Sequence, residues 1–75
     1  MGAKVGDILF VERHMVQYKS PKGGSPSILV SMSNWQGGNP VRAEWNGSDV
    51  YVYPEKGWIY KMKNGSGSPT VFSHP

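Results

Sequence analysis

Cysteine is missing from this 75-residue sequence, and its absence excludes several kinds of site. Without a thiol, the chain has no disulfide, no thiolate metal ligand and no cysteine nucleophile. No apolar run approaches the roughly 18 residues of a membrane-spanning helix. No charged and then apolar N-terminal pattern marks a secretory signal. We therefore expect a cytoplasmic protein that has no membrane partner.

Residue patterns that carry catalysis are also lacking. His14 and His74 lie far apart, and neither has the closely spaced partner of a typical metal site. The serines are not set in a nucleophile elbow, and the Gly-Gly pairs lack the spacing of phosphate-binding loops. The five acidic residues include no obvious catalytic pair. We predict that the protein is not an enzyme and uses neither a cofactor nor a metal.

Positive charge is modest and scattered. The formal net charge is +3, the sequence pI is about 9.4, and the eight lysines and arginines are spread along the chain among five acids. A mild positive field favours acidic partners. It is weaker than the dense basic stripe that is typical of a nucleic-acid-binding domain. The length allows one domain, and at this size the buried core is small.

The clearest pattern is a central run of strands. Three short segments rich in β-branched and aromatic residues are Val41–Trp45, Val50–Tyr53 and Trp58–Met62. Turn-forming residues separate them, at Asn46–Asp49 and at Pro54–Gly57. Such segments predict three antiparallel strands joined by hairpins.

Pairing of these strands sorts their side chains into two faces. Trp45 is expected to lie opposite Val50 across the first turn, with Ala43 opposite Val52 and Arg42 opposite Tyr53. Tyr53 is expected to lie opposite Trp58 across the second turn, with Tyr51 opposite Tyr60 and Val52 opposite Ile59. The face predicted to be core carries Val41, Ala43, Trp45, Val50, Val52 and Ile59. The other face carries Arg42, Glu44, Tyr51, Tyr53, Trp58, Tyr60 and Met62. The aromatic residues of this second face form either an exposed platform or a second packing layer, and a one-residue bulge would exchange the faces.

The first third of the chain allows two interpretations. Val5–Val11 is short, apolar and β-branched, which favours a buried strand that resumes in Met15–Tyr18. The alternative is a helix capped by Asp7, since apolar residues recur at helical spacing from Ile8 to Tyr18. We expect the strand. Residues 1–4 are expected to form a loose terminus, and Ile28–Met32 is predicted to be a further strand.

Glycine and proline mark the connecting segments. Lys19–Ser27 is predicted to be a mobile loop that is a plain connector, a recognition loop or a phosphorylation target, and we expect the connector. Trp35 lies in the Gly-rich segment Ser33–Pro40, where it either folds back over the core as a lid or serves as an exposed binding anchor. Residues 64–75 are predicted to be a flexible tail that follows a domain of residues 1–63. Thr70–Phe72 could instead add an edge strand.

The predicted fold is all-β, a small single domain of four to six strands arranged as an antiparallel meander or a barrel. Short strands with Gly/Pro-rich loops, opening on Val5-Gly6-Asp7, loosely resemble the SH3-like barrel class. That resemblance implies a small barrel. None of the ligand-binding motifs of that class is present, so the resemblance implies no functional residue.

Binding is the function that these features favour. We expect a small regulatory protein that docks on a larger protein complex, such as transcription or other nucleic-acid-handling machinery. Short chains without a catalytic set are common among accessory subunits and virus-encoded inhibitors. The alternatives are a single-stranded nucleic-acid-binding protein and a structural part of a larger assembly. The predicted partner-binding residues are Trp35, Arg42, Tyr51, Tyr53, Trp58, Tyr60, Lys61 and Lys63.

Overall fold

The computed structural model describes residues 2–75 and contains seven β-strands in two antiparallel sheets. The strands are β1 (Ile8–Glu12), β2 (Met15–Lys19), β3 (Ser27–Ser31), β4 (Pro40–Asn46), β5 (Asp49–Pro54), β6 (Ile59–Met62) and β7 (Thr70–Ser73). The all-β prediction is confirmed, with one strand more than the upper limit expected. Within residues 2–75 the sheets stay separate, in the orders β1-β2-β3 and β4-β5-β6-β7, and no closed barrel forms. Among these same residues, no helix has the length and apolar character required to cross a membrane.

Strands β1 and β2 form a tight hairpin in the segment that also allowed a helix. Glu12 pairs with Met15, so only Arg13 and His14 make the turn. Arg13 has a φ of +58°. Tight hairpin turns require this conformation, which is energetically unfavourable for residues with a side chain. The β-branched and aromatic content of this segment therefore outweighs its helical spacing.

The first hairpin of the second sheet has the predicted register. Trp45 pairs with Val50, Ala43 with Val52 and Arg42 with Tyr53. Gly47, with a φ of +65°, and Ser48 form the turn between the paired residues Asn46 and Asp49. Positive φ at the Asn-Gly turn suits the twist of the flanking strands, which fixes the register.

The register of the second hairpin differs from the prediction by one residue. Tyr51 pairs with Lys61 and Val52 with Tyr60, instead of Tyr51 with Tyr60 and Val52 with Ile59. Trp58 precedes β6 and belongs to the connection, which is therefore one residue longer than expected. Because side chains alternate along a strand, the shift reverses both faces of β6. Tyr60 and Met62 lie in the core, and Lys61 lies on the outer face.

Strand β7 extends the second sheet beyond residue 63. It pairs with β6 along its length, so the edge-strand alternative for Thr70–Phe72 is the one that the structure shows. The pairing moves from Tyr60–Val71 to Ile59–Ser73, which leaves Phe72 as the extra residue of a bulge. All four residues of β7 are exposed, as is usual for an edge strand. The mobility of residues 64–75 stays a prediction.

The core lies between the two sheets. Its fully buried side chains are Val16, Val50, Val52 and Met62. Trp35 and Tyr60 complete this cluster, and Leu9, Val11, Leu29, Val30, Met32, Ala43 and Trp45 pack against it. Strand β1 of the first sheet lies against β4 of the second. One small core therefore joins the halves of the chain.

The N-terminal segment is bound to the body of the protein, contrary to the expected loose terminus. Met1 lies outside the described residues, but Ala3 is buried, and its N–H donates to the carbonyl oxygen of Gly65 at 2.9 Å. Gly65 lies in a short 3-10 turn, Lys63–Gly65, after β6. The indole N–H of Trp45 donates to the carbonyl oxygen of Asp7 at 2.9 Å. These two bonds hold the segment before β1 in place.

Candidate functional site

The outer face of the second sheet carries a group of aromatic and charged side chains that we call the aromatic face. Its members are Arg42, Glu44, Tyr51, Tyr53, Lys61 and Phe72. They come from strands β4, β5, β6 and β7, so the group crosses the whole sheet. Val50 and Val52 alternate with Tyr51 and Tyr53 and are buried on the opposite side, which explains why the tyrosines point outward.

Arg42 lies over the ring of Tyr53 and is held there by Glu44. The guanidinium carbon is 4.2 Å from the ring centroid, a cation–π distance. The same guanidinium forms a 3.0 Å ion pair with the Glu44 carboxylate. The two charged side chains are 59% and 50% solvent-exposed, so the ion pair contributes little to stability. Its effect is to hold the guanidinium over the Tyr53 ring, on a surface where a partner could meet it.

This arrangement changes the acidity of Tyr53. Partial burial of the phenol raises its pKa above the ordinary value. The nearby Glu44 carboxylate raises the pKa further, and the Arg42 guanidinium partly opposes that change. The Tyr53 hydroxyl is therefore neutral at physiological pH and available as a hydrogen-bond donor.

Tyr51 packs against Phe72, which follows Val71, the partner of the inward-facing Tyr60, and therefore lies on the outer face. Their ring centroids lie 4.9 Å apart at an interplanar angle of 55°, within the range of favourable aromatic pairs. The Lys61 ammonium lies 5.8 Å from the Phe72 ring centroid. Phe72 is 54% exposed, an unusual state for a large apolar side chain that already has ring contacts. Phe72 is the functional candidate that the sequence prediction missed, although its possible edge strand was a signal.

Lys61 connects the aromatic face to the first β-turn of the sheet. Its ammonium lies 3.6 Å from Asp49, and the other carboxylate oxygen of Asp49 accepts the backbone N–H of Asn64 at 2.9 Å. That backbone hydrogen bond is the main cause that lowers the pKa of Asp49, and the Lys61 charge lowers the pKa further. Lys63, also predicted to bind a partner, is exposed in the 3-10 turn and adds positive charge near Asp49.

Trp58 is half-buried beside the aromatic face rather than within it. Its ring lies so close to Gly37 that a Cβ atom at that glycine would be 2.4 Å from Trp58 Cδ1. On another side, the ring of His74 stacks at a centroid distance of 5.2 Å and an angle of 35°. Trp58 therefore holds both the Ser33–Pro40 loop and the C-terminal residues, and part of its surface stays open.

Trp35 and Tyr60 lie in the core. Both were predicted to contact a partner, and both side chains are buried. Trp35 is the lid, not the exposed anchor: its ring meets Tyr60 edge-on at 4.8 Å, and its indole N–H donates to the carbonyl oxygen of His14 at 3.0 Å. The Tyr60 hydroxyl accepts the backbone N–H of Gln36 at 2.7 Å. The one-residue register shift accounts for Tyr60, because it turns this side chain inward.

The side chains of the aromatic face determine the kinds of contact that this surface can make. Residues 2–75 contain no group of three or more histidine or acidic side chains that could hold a metal ion. What the aromatic face offers is contact area, two oriented cations and a phenol donor. Comparisons with protein-family models, with curated proteins and with solved structures found no match to this chain.

Proposed function

We propose that this protein is a non-enzymatic regulatory protein that docks on a larger protein through the aromatic face. The observation that supports this proposal is the juxtaposition of the Arg42–Tyr53 stack and the Tyr51–Phe72 pair on one outer sheet surface. Tyrosine and arginine are enriched among residues that dominate binding energy in protein interfaces, and phenylalanine is enriched in interfaces generally. Phe72 is 54% exposed, so a partner that covers its ring removes apolar surface from water.

Preorganisation supports the same proposal. Glu44 fixes Arg42, and Phe72 restricts Tyr51, so these side chains lose little further conformational freedom when a partner covers them. Ordering a flexible side chain at an interface costs about 0.5–1.5 kcal/mol, and these contacts reduce that cost. A rigid, mixed aromatic and charged surface is therefore suited to a specific protein partner.

Single-stranded nucleic acid is less well matched to this geometry. The Tyr53 ring is already covered by Arg42, and the Tyr51 ring is already packed against Phe72, so neither ring is a bare stacking platform. Arg42 and Lys61 are each paired with a carboxylate, which lowers their attraction for phosphates. The expectation that the partner complex handles nucleic acid rests on the net positive charge alone.

Affinity capture with matched variants tests the proposal. The tagged full chain, Phe72→Ala, Arg42→Ala and the control Ile28→Ala would be compared as baits, and the captured partner would then be purified for titration. Ile28 lies on β3 of the other sheet and is 57% exposed, close to Phe72, so its truncation removes similar apolar surface elsewhere. We expect each variant of the aromatic face to weaken binding at least about tenfold, as for an interface hot spot. Ile28→Ala should bind like the wild type.

Three results would count against docking through this face. Equal binding by wild type, Phe72→Ala and Arg42→Ala would place the contact elsewhere. Binding of a short oligonucleotide that falls steeply with salt, together with no protein partner, would support the nucleic-acid alternative. Self-association that depends on protein concentration and is lost in Phe72→Ala would instead indicate a structural assembly subunit.

A further inference from the structure

A cleft opens in the first sheet, away from the aromatic face. It has a volume of about 480 Å³ and lies between the N-terminal segment and the loop that joins β2 to β3. This volume falls within the range of about 300–1,000 Å³ typical of small-molecule sites. The polar side chains that line it include Lys4, Tyr18, Lys19, Ser20, Ser25 and Ser27.

Positive charge exceeds negative charge among the residues that line the cleft, which include two lysines and one aspartate. Among residues 2–75, the ion pairs within 4.0 Å are Arg42–Glu44 and Lys61–Asp49, so neither Lys4 nor Lys19 has a carboxylate partner. Asp7 also lines the cleft, but its carboxylate accepts the backbone N–H of Lys4 at 2.9 Å and closes a turn there. Two lysines thus line a concave surface together with one aspartate whose carboxylate is already hydrogen-bonded.

The walls of the cleft are held by hydrogen bonds. On one side, the turn from Lys4 to Asp7 is closed by the backbone bond between these residues at 2.9 Å, and the Trp45 indole fixes the Asp7 carbonyl. On the other side, Ser20 accepts the N–H of Gly23 on its carbonyl oxygen and that of Lys22 on its hydroxyl oxygen. Because the Ser20 hydroxyl is an acceptor here, its proton remains free to donate into the cleft.

We propose that this cleft binds a small phosphate monoester. A phosphate monoester carries nearly two negative charges at neutral pH, and two unpaired lysines match that charge. Its three terminal oxygens accept hydrogen bonds, and the serine and tyrosine hydroxyls of the cleft supply donors. The volume leaves room for an organic group the size of a sugar next to the phosphate. This proposal is independent of the aromatic face and of its protein partner.

Titrations followed by heteronuclear NMR test this site on the full chain. The probes are glucose 6-phosphate, inorganic phosphate and glucose. The variants are Lys4→Met, Lys19→Met, Lys19→Arg and the control Lys22→Met. Lys22 belongs to the same loop but does not line the cleft, so this control removes the same charge from nearly the same place. Spectra without ligand verify that each variant keeps the fold.

We expect saturable shifts with glucose 6-phosphate at the amides of residues 4, 19, 25 and 27, and none with glucose. Lys4→Met and Lys19→Met should each lower affinity about tenfold, as expected for one charge-assisted hydrogen bond. Lys19→Arg and Lys22→Met should keep wild-type affinity. Comparable saturable binding of inorganic phosphate would support recognition of the phosphate group itself. Linear shifts, equal shifts with glucose, or equal loss in Lys22→Met would overturn the proposal.

Discussion

The indole N–H of Trp35 donates a hydrogen bond to the backbone carbonyl oxygen of His14, a residue 21 positions earlier in the chain. His14 is in the turn of the first sheet, and the ring of Trp35 packs edge-on against Tyr60 of the second sheet. Trp45 makes the matching bond to Asp7. Two indoles therefore fasten together the two sheets of a small domain.

Replacement of Trp35 by phenylalanine should destabilise the protein. The variant keeps an aromatic ring against Tyr60 but loses the shorter of two hydrogen bonds to the His14 carbonyl oxygen, which retains the Met32 N–H at 3.4 Å. We expect loss of this bond to lower the free energy of unfolding by about 0.5–1.5 kcal/mol. Urea denaturation followed by far-ultraviolet circular dichroism measures the change.

Trp58→Phe is the matched control for that substitution, since the Trp58 indole N–H has no hydrogen-bond acceptor within residues 2–75 and the ring is only half-buried. Its expected loss of stability is below that of Trp35→Phe. Equal losses at both positions would show that ring size, rather than the bond to His14, accounts for the effect.

Gly37→Ala should be more destabilising than Gly24→Ala. Both glycines have positive φ, +85° and +97°, so a side chain strains the backbone at either position. Only at Gly37 would the new Cβ lie 2.4 Å from Trp58 Cδ1, whereas Gly24 faces open space. We expect Gly37→Ala to cost about 1–3 kcal/mol more than Gly24→Ala. Similar melting temperatures for the two variants would contradict the close packing of Trp58 on this loop.

The low pKa of Asp49 predicts a loss of stability in acid. Because its pKa is lower in the folded state than in the unfolded state, the ionised carboxylate stabilises the fold above the unfolded pKa of about 3.9. That contribution is lost as the pH falls through the lower, folded pKa. Asp49→Asn should be less stable than wild type at pH 7. The two unfolding curves should converge once the pH is below the folded pKa, where both side chains are neutral, and a difference that stays constant as the pH falls would exclude this cause.

Arg13→Gly should stabilise the first hairpin. Arg13 has a φ of +58°, a region that costs a residue with a side chain roughly 1–2 kcal/mol and that glycine enters freely. Glycine also raises the conformational entropy of the unfolded chain, which offsets part of this effect. We therefore expect the free energy of unfolding to rise by up to about 1 kcal/mol. Lys56→Gly, at an exposed turn position without positive φ, should lower stability instead. Thermal unfolding compares the two variants directly.

The sequence predicted the parts of the fold that depend on neighbouring residues. The Asn46–Asp49 turn determines one register for β4 and β5, so that pairing was predicted correctly. The segment Pro54–Gly57 is compatible with the predicted connection and with one that is a residue longer. Trp58, Tyr60 and Met62 share one face in both registers, so their alternation does not distinguish the two. The contacts that distinguish the two registers, among them the packing of Trp58 on Gly37 and the bond from Gln36 to Tyr60, join distant parts of the chain.

In the candidate site, too, the features that depend on neighbouring residues were predicted and those that depend on long-range contacts were not. Arg42, Tyr51 and Tyr53 were predicted together because they lie in the hairpin whose register is local. Phe72 was missed because it reaches Tyr51 only when β7 pairs with β6, and nothing in the residues Pro69–Pro75 fixes that pairing. The sequence did not decide whether Trp35 is a lid or an anchor. Its acceptor is the His14 carbonyl, a backbone group that every residue type provides, so no side chain in the sequence marks this contact.

Each pair of hydrogen-bonded strands in this protein is consecutive in the chain, in both β1-β2-β3 and β4-β5-β6-β7. Every pairing event during folding therefore closes a short loop, and the entropy lost in closure is small. Folding rates rise when contacts are local, so we expect this all-β chain to fold faster than β-sandwiches whose partners are distant in sequence. The late step is then the docking of one sheet on the other, and the fluorescence of Trp35 and Trp45, whose indoles bridge the sheets, should report its rate.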